Sequence, residues 1–90
     1  MLIPPNATLI DLRSEALRAA QPLGEYVNNS VLAVTLEAIE EGTHSLATVP
    51  GPLLVICERG VRSGLAARYL RADGLDAGHV VGGLAALIEK

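Results

Sequence analysis

The 90-residue sequence contains no phenylalanine, no tryptophan and only two tyrosines. Aromatic platforms for stacking unpaired bases are therefore excluded, and an apolar interior has to be made from Leu, Val, Ile and Ala. Cysteine occurs once, at position 57, which excludes an internal disulfide. One Cys and two His also fall short of a structural zinc set, so neither a metal nor another cofactor is expected. An excess of positive charge is missing too. Seven Lys and Arg face ten Asp and Glu, a formal net charge of -3, which argues against nucleic acid or an anionic membrane as partner. No apolar run approaches a membrane span. The opening MLIPPNATLI has neither the basic region nor the long apolar region of a secretory signal. The expectation is a soluble cytoplasmic protein in a reducing compartment.

Apolar bulk is what the chain does have, at 50% of residues. This length suits one domain over residues 1–90, although a chain this short buries a smaller share of its surface than a larger domain. After an irregular lead-in at Pro4, Pro5 and Asn6, residues 8–12 read as a short buried strand ending beside Arg13. Ser14 caps a helix through Ala20, with Glu15 placed to favour the helix dipole, and Pro22 and Gly24 end it. Residues 31–34 form a second apolar run. Thr35 caps a helix over residues 36–41 that Gly42 closes. Pro50-Gly51-Pro52 marks a sharp connection into Leu53-Leu54-Val55-Ile56, apolar at every position as in a strand covered on both faces. Ser63 opens a helix to residue 73 with Leu65, Ala66, Tyr69 and Leu70 on its apolar stripe. Residues 77–81 form a last strand, and Gly82-Gly83 leads into a helix over residues 84–90. The alternation of strand and helix predicts an α/β fold, a central mostly parallel sheet flanked by helices in three layers.

Cys57 falls at the carboxyl end of the most apolar strand, where ligands gather in open α/β sheets. The backbone N–H groups of residues 58–63 can converge there, and the following helix adds a partial positive charge. Gly60 permits the backbone angles of such a cradle, and Gly64 allows the helix to pack closely. Arg59 and Arg62 add full charges, and four of the six arginines (59, 62, 68 and 71) lie in this loop and helix. All of this favours thiolate over thiol; Glu58 pulls the other way. The plainer reading makes Cys57 a small buried filler, and Arg68 and Arg71 a solvated helix face. His44 and His79 have no carboxylate–histidine motif beside them and read as solvated or structural.

The loop Cys57-Glu58-Arg59-Gly60-Val61-Arg62-Ser63 resembles the active-site loop of the rhodanese family, C-x-x-G-x-R-[ST]. The likeness extends in order along residues 8 to 88. Leu9-Ile10-Asp11-Leu12-Arg13 is similar to an early I-D-x-R segment, and Ala33-Val34-Thr35-Leu36 stands where the family has N-I-P-L. Ala66, Ala67 and Leu70 match an A-A-x-x-L helix, and Val80 to Leu84 a late L-x-G-G segment. Two segments depart. The family's G-H-I-x-G-A is replaced by Val27 to Leu32, and Gly78-His79 stands too late to supply it. Ala85-Ala86-Leu87 replaces a tryptophan-bearing stretch, and the short chain implies an open pocket. The resemblance implies a thiosulfate sulfurtransferase of rhodanese type in which Cys57 takes a sulfane sulfur from a small anionic donor or a protein persulfide. Its cysteine persulfide then hands the sulfur to cyanide or a thiol, which a protein acceptor can also carry. Arg62 would orient the donor, with Arg59 as a second contact and Glu58, Gly60, Val61 and Ser63 completing the loop. Asp11 and Arg13 either brace the site or form a structural ion pair.

Two other readings compete. A cysteine phosphatase has the pattern C-x5-R, which would put the arginine at position 63; that residue is Ser63, and Arg62 arrives one residue early. The shorter loop makes a smaller cradle than a phosphate ester needs. A rhodanese-fold binding or regulatory module without turnover is the other, since a fold does not guarantee an activity.

Overall fold

The computed structural model describes residues 3–49 and 51–88. Pro50, part of the expected sharp connection, and Glu89 and Lys90, at the end of the expected last helix, lie outside the described residues. In chain order the elements are β1 (Thr8–Asp11), α1 (Glu15–Ala20), β2 (Val31–Ala33), α2 (Leu36–Glu41), β3 (Leu53–Ile56), α3 (Val61–Ala72), β4 (Ala77–His79) and α4 (Leu84–Ile88), with single 3-10 turns at Leu23–Glu25 and Leu46–Thr48. The caps act as their side chains dictate. Ser14 Oγ accepts from the N–H of Leu17, Thr35 Oγ1 accepts from the N–H of Ala38, and Gly42 leaves α2 at φ 76°.

The four strands lie in the order β2-β1-β3-β4 and every pairing is parallel. Side chains alternate between the two faces. Ile10, Leu53 and Val55 join Ile39 of α2 and Ala66, Ala67 and Leu70 of α3 in one apolar layer. Leu9 and Ile56 meet Leu23, Val80 and Leu84 of α4 in the other. The sheet is thus covered on both faces in a three-layer α/β arrangement.

Three expectations need correcting. The helix after Cys57 begins at Val61, two residues before Ser63, because Gly60 adopts φ 90° and starts it without a side-chain cap. Its buried stripe is Ser63, Ala66, Ala67 and Leu70, the i, i+3, i+4, i+7 set. Leu65 and Tyr69 stand at its edge, 40% and 39% exposed. Small residues win the stripe because the helix lies close on the sheet: a side chain at Gly64 would stand 3.4 Å from the His79 ring. Third, β4 ends at His79, although Val80 still donates its N–H to the Val55 carbonyl before the chain turns.

The segment that departs from the family pattern carries its own anchor. Asn29 Nδ2 donates to the carbonyls of Pro4 and Ala7 and ties the approach to β1. His44 is structural. Its Nδ1 accepts from the N–H of Leu46, which leaves the hydrogen on Nε2, 3.1 Å from Asp73 at the end of α3. Arg71 donates to the Ala77 carbonyl at 2.9 Å and clamps α3 to β4, so it is more than a solvated charge.

Candidate functional site

From β1 the chain moves outward to β2 and then returns across β1 to β3. The two central strands therefore diverge in their connections at one place, the switch point where open parallel sheets leave a crevice at their carboxyl ends. The loop after β1 holds Leu12, Arg13 and Ser14, and the loop after β3 holds Cys57 to Gly60. The two strand ends are stitched together by Leu12 N–H donating to the Ile56 carbonyl at 3.0 Å. An open cleft of about 430 Å³ lies between them, lined by Leu12, Arg13, Ser14, Cys57, Glu58, Arg59, Val61 and Arg62.

Cys57 is 6% exposed and forms part of the cleft wall. Its Sγ accepts from the N–H of Gly60 at 3.0 Å and of Ser63 at 3.4 Å, and lies 3.5 Å from Ser63 Oγ. A helix leaves its first N–H groups without intrahelical acceptors, and Gly60 has no side chain to offer one. The sulfur takes that role, capping α3 from three residues upstream. Burial pushes the thiol pKa up, but hydrogen bonds from the Ser63 hydroxyl and from the N–H groups of Ser63, Gly60 and Arg59 outweigh it. The net result is a pKa below the ordinary thiol value. The expected contribution of guanidinium charge is not among these causes. Arg59 and Arg62 are exposed at the rim, and Glu58 is exposed beside them.

The loop keeps its shape through a second turn, at Gly82 and Gly83, whose packing partner is not apparent from the sequence. Gly82 and Gly83, at φ 85° and 66°, lie directly against it. A Cβ at Gly83 would collide with the carbonyls of Cys57 and Glu58, and one at Gly60 would stand 2.9 Å from the Gly82 nitrogen. Leu84 N–H donates to the Cys57 carbonyl at 2.9 Å. The sequence signal was the Gly-Gly pair itself, two residues able to take positive φ without strain.

Asp11 and Arg13 form a buried two-pronged ion pair, with Nε and Nη2 donating to both carboxylate oxygens and the Arg13 N–H adding a third donor. Arg13 nevertheless lines the Cys57 cleft, whereas Asp11 does not. The structure thus brings together Cys57 through Ser63 and Arg13, and places Asp11 one layer behind. His44 and His79 take no part in the cleft lining. Among the described residues no group of three or more His, Cys, Asp or Glu is placed to hold a metal ion, and no helix is long and apolar enough to cross a membrane.

Solved structures with the same architecture share sequence with this chain. A rhodanese homologue from the extremely thermophilic bacterium Thermus thermophilus is 35% identical, matching 88% of this chain and 80% of its own with a TM-score of 0.68. A rhodanese-related protein from Thermoplasma volcanium is 25% identical over 92% of this chain and 77% of its own, at a TM-score of 0.73. A rhodanese-like domain protein from Staphylococcus aureus is 26% identical over 93% and 76%, at 0.71. No protein-family model and no curated protein matches the sequence.

Proposed function

This chain belongs to the rhodanese-like family, and from that premise we propose that it is a sulfurtransferase with Cys57 as nucleophile and sulfur carrier. The observation that carries the reading is the hydrogen-bonded sulfur of Cys57, held below its ordinary pKa in the wall of an open cleft. A thiolate is the attacking form. With thiosulfate as donor, Cys57 Sγ attacks the outer sulfur, a new S–S bond forms, and the old S–S bond breaks with its electron pair leaving on sulfite. A thiolate acceptor, or cyanide, then attacks the outer sulfur of the Cys57 persulfide. It departs as a new persulfide, or as thiocyanate, and the Cys57 thiolate returns.

The surroundings suit an anionic donor and an anionic intermediate. Arg59 and Arg62 outweigh Glu58 at the rim, with Arg13 already neutralised by Asp11. The N–H groups of Val61 and Arg62 begin α3 without an intrahelical acceptor, so they are free to meet the outer sulfur of a persulfide as fixed dipoles. A phosphatase fits less well, because Arg62, the second residue of the helix, stands one position early for the C-x5-R spacing.

Intact mass after incubation with thiosulfate tests the reading. A gain of roughly 32 Da, one sulfur atom, is expected on Cys57 and is removed by cyanide, as a covalent intermediate requires. Cys57→Ser should show no gain. Absence of an adduct from both thiosulfate and a persulfide donor would leave the binding-module reading instead.

A further inference from the structure

The Cys57 cleft opens beside an exposed helix face. Beyond the edge of its buried stripe, α3 turns Val61, Leu65, Arg68 and Ala72 outward, all exposed and spaced four, three and four residues apart. Val61 is 78% exposed and also lines the Cys57 cleft, so this face begins at the cleft's rim. We propose that the outward face of α3 docks an amphipathic helix of a partner protein, apolar along its seam and acidic on its flanks. The proposal goes beyond sulfur transfer and stands without it. Its consequence for that reaction is that a docked partner is held at the edge of the cleft.

The spacing suits a helix. Positions that recur every four and three residues put their side chains in one seam, the pattern by which two helices interlock knobs into holes. Val61 and Leu65 lie one turn apart, Tyr69 follows Leu65 by another turn, and the aliphatic stem of Arg68 fills the seam between Leu65 and Ala72. Val81 extends the patch at the N-terminal end of α3. It precedes Gly82, whose nitrogen would stand 2.9 Å from a Cβ at Gly60, and it is 70% exposed. Exposed apolar residues scattered singly need no explanation, but a contiguous row rimmed by charge marks an interaction surface.

Charge selects the kind of helix. Arg59, Arg62, Arg68 and Arg71 surround the row, against Glu58 at one end and Asp73 at the other, and Asp73 is turned to His44. A chain that is acidic in total is therefore basic here. Such a face attracts acidic flanks and repels basic ones. A second copy meeting it face to face would bring its own arginines to the same place, a juxtaposition of like charge that opposes pairing. Twelve residues make a helix about 18 Å long, so the contact spans about three turns. That is small for a permanent interface and fits a partner that docks and leaves.

The intact, isotopically labelled protein is titrated with a synthetic helical peptide of about three heptads, leucine at a and d and glutamate at e and g, charges that also keep it from pairing with itself. Saturable amide shifts are expected along α3, and affinity should fall as salt is raised. The same peptide with lysine in place of glutamate should bind at least about tenfold more weakly. Leu65→Gln should weaken binding about tenfold, the loss of one buried apolar side chain, and Arg68→Glu about fivefold. Sulfur loading from thiosulfate should be unchanged in both variants, because neither residue lines the Cys57 cleft. Absence of saturable shifts, shifts away from α3, equal affinity for the lysine peptide, or unchanged affinity in Leu65→Gln would overturn the docking face. So would concentration-dependent dimers that Leu65→Gln abolishes, which assign the face to a second copy. Adhesion to phosphatidylserine vesicles without peptide binding would overturn it as well and assign the face to a membrane. Failure of thiosulfate to add mass to Cys57 removes sulfur transfer and leaves the docking result as it stands.

Discussion

Two polar clusters sit side by side at the carboxyl ends of β1 and β3, and they are built on opposite plans. At the end of β1 the carboxylate of Asp11 meets the guanidinium of Arg13 with both side chains almost wholly buried, 2% and 1% exposed. Charge meets charge at 2.9 Å, and the carboxylate has nothing further to offer a ligand. At the end of β3 the sulfur of Cys57 meets main-chain N–H groups and one hydroxyl, dipoles without a counter-charge. The first cluster closes on its own opposite charges, with only Arg13 Nη1 left without a partner. The second stabilises an anion while leaving its charge available for reaction. A nucleophile needs the second plan, because a full counter-ion would hold the charge that has to move.

The most damaging way to test this contrast is to open the closed cluster. Arg13→Ala leaves Asp11 buried beside a single N–H donor, and a broken buried pair costs about 3–5 kcal/mol. Urea unfolding should show a loss of that order, while the double replacement Asp11→Leu with Arg13→Met recovers most of it. An unchanged midpoint in Arg13→Ala would mean that the pair is not the closed unit described.

The loop can be disturbed without touching any of its own side chains. Gly83→Ala drives a methyl group into the carbonyls of Cys57 and Glu58 at a positive φ, and overpacking of this kind costs about 1–3 kcal/mol. Sulfur loading should drop with it, because the amides that hold the sulfur shift. Gly24→Ala, where a Cβ meets nothing within 4 Å, is the matched control and should change neither stability nor loading.

The smallest change removes one donor. Ser63→Ala takes the hydroxyl from the sulfur and should raise the thiol pKa toward its ordinary value, read from the pH dependence of alkylation. The acid limb of sulfur loading moves to higher pH with it. Stability carries the same sign. A folded pKa below the unfolded one contributes stability that is full above the ordinary thiol pKa and is lost as pH falls through the lowered value. Ser63→Ala should flatten that dependence; an unaltered profile would assign the lowering to the main-chain amides alone.

Local signals carried much of this molecule. The spans of α1 and α2 follow from Ser14, Thr35 and Gly42, whose capping chemistry acts within a few residues. The apolar run at residues 53–56 and the Cys-to-Ser loop after it were legible for the same reason, since strand, turn and helix start lie within one short stretch. α3 starts two residues before Ser63 because Gly60, loop-like by residue type, opens the helix directly from a left-handed conformation. Of the expected stripe Ala66 and Leu70 are buried, whereas Leu65 and Tyr69, core-like by residue type, stand at its edge. Which residues face inward depends on how closely the helix lies to the sheet, and the small residues permit the closest approach.

By itself the sequence determined which chemistry was present, a lone thiol ahead of a helix, and the alternation that makes a parallel sheet. Only the tertiary structure decided that amides and a hydroxyl hold the sulfur more than arginine charge does, that Gly82 and Gly83 buttress the loop, and that Arg13, paired with Asp11, lines the cleft beside Cys57. The physical reason is range. Caps, turns and apolar periods act between near neighbours, whereas a buttress from twenty-odd residues away or a wall shared by two strand ends exists only once the sheet has brought them together.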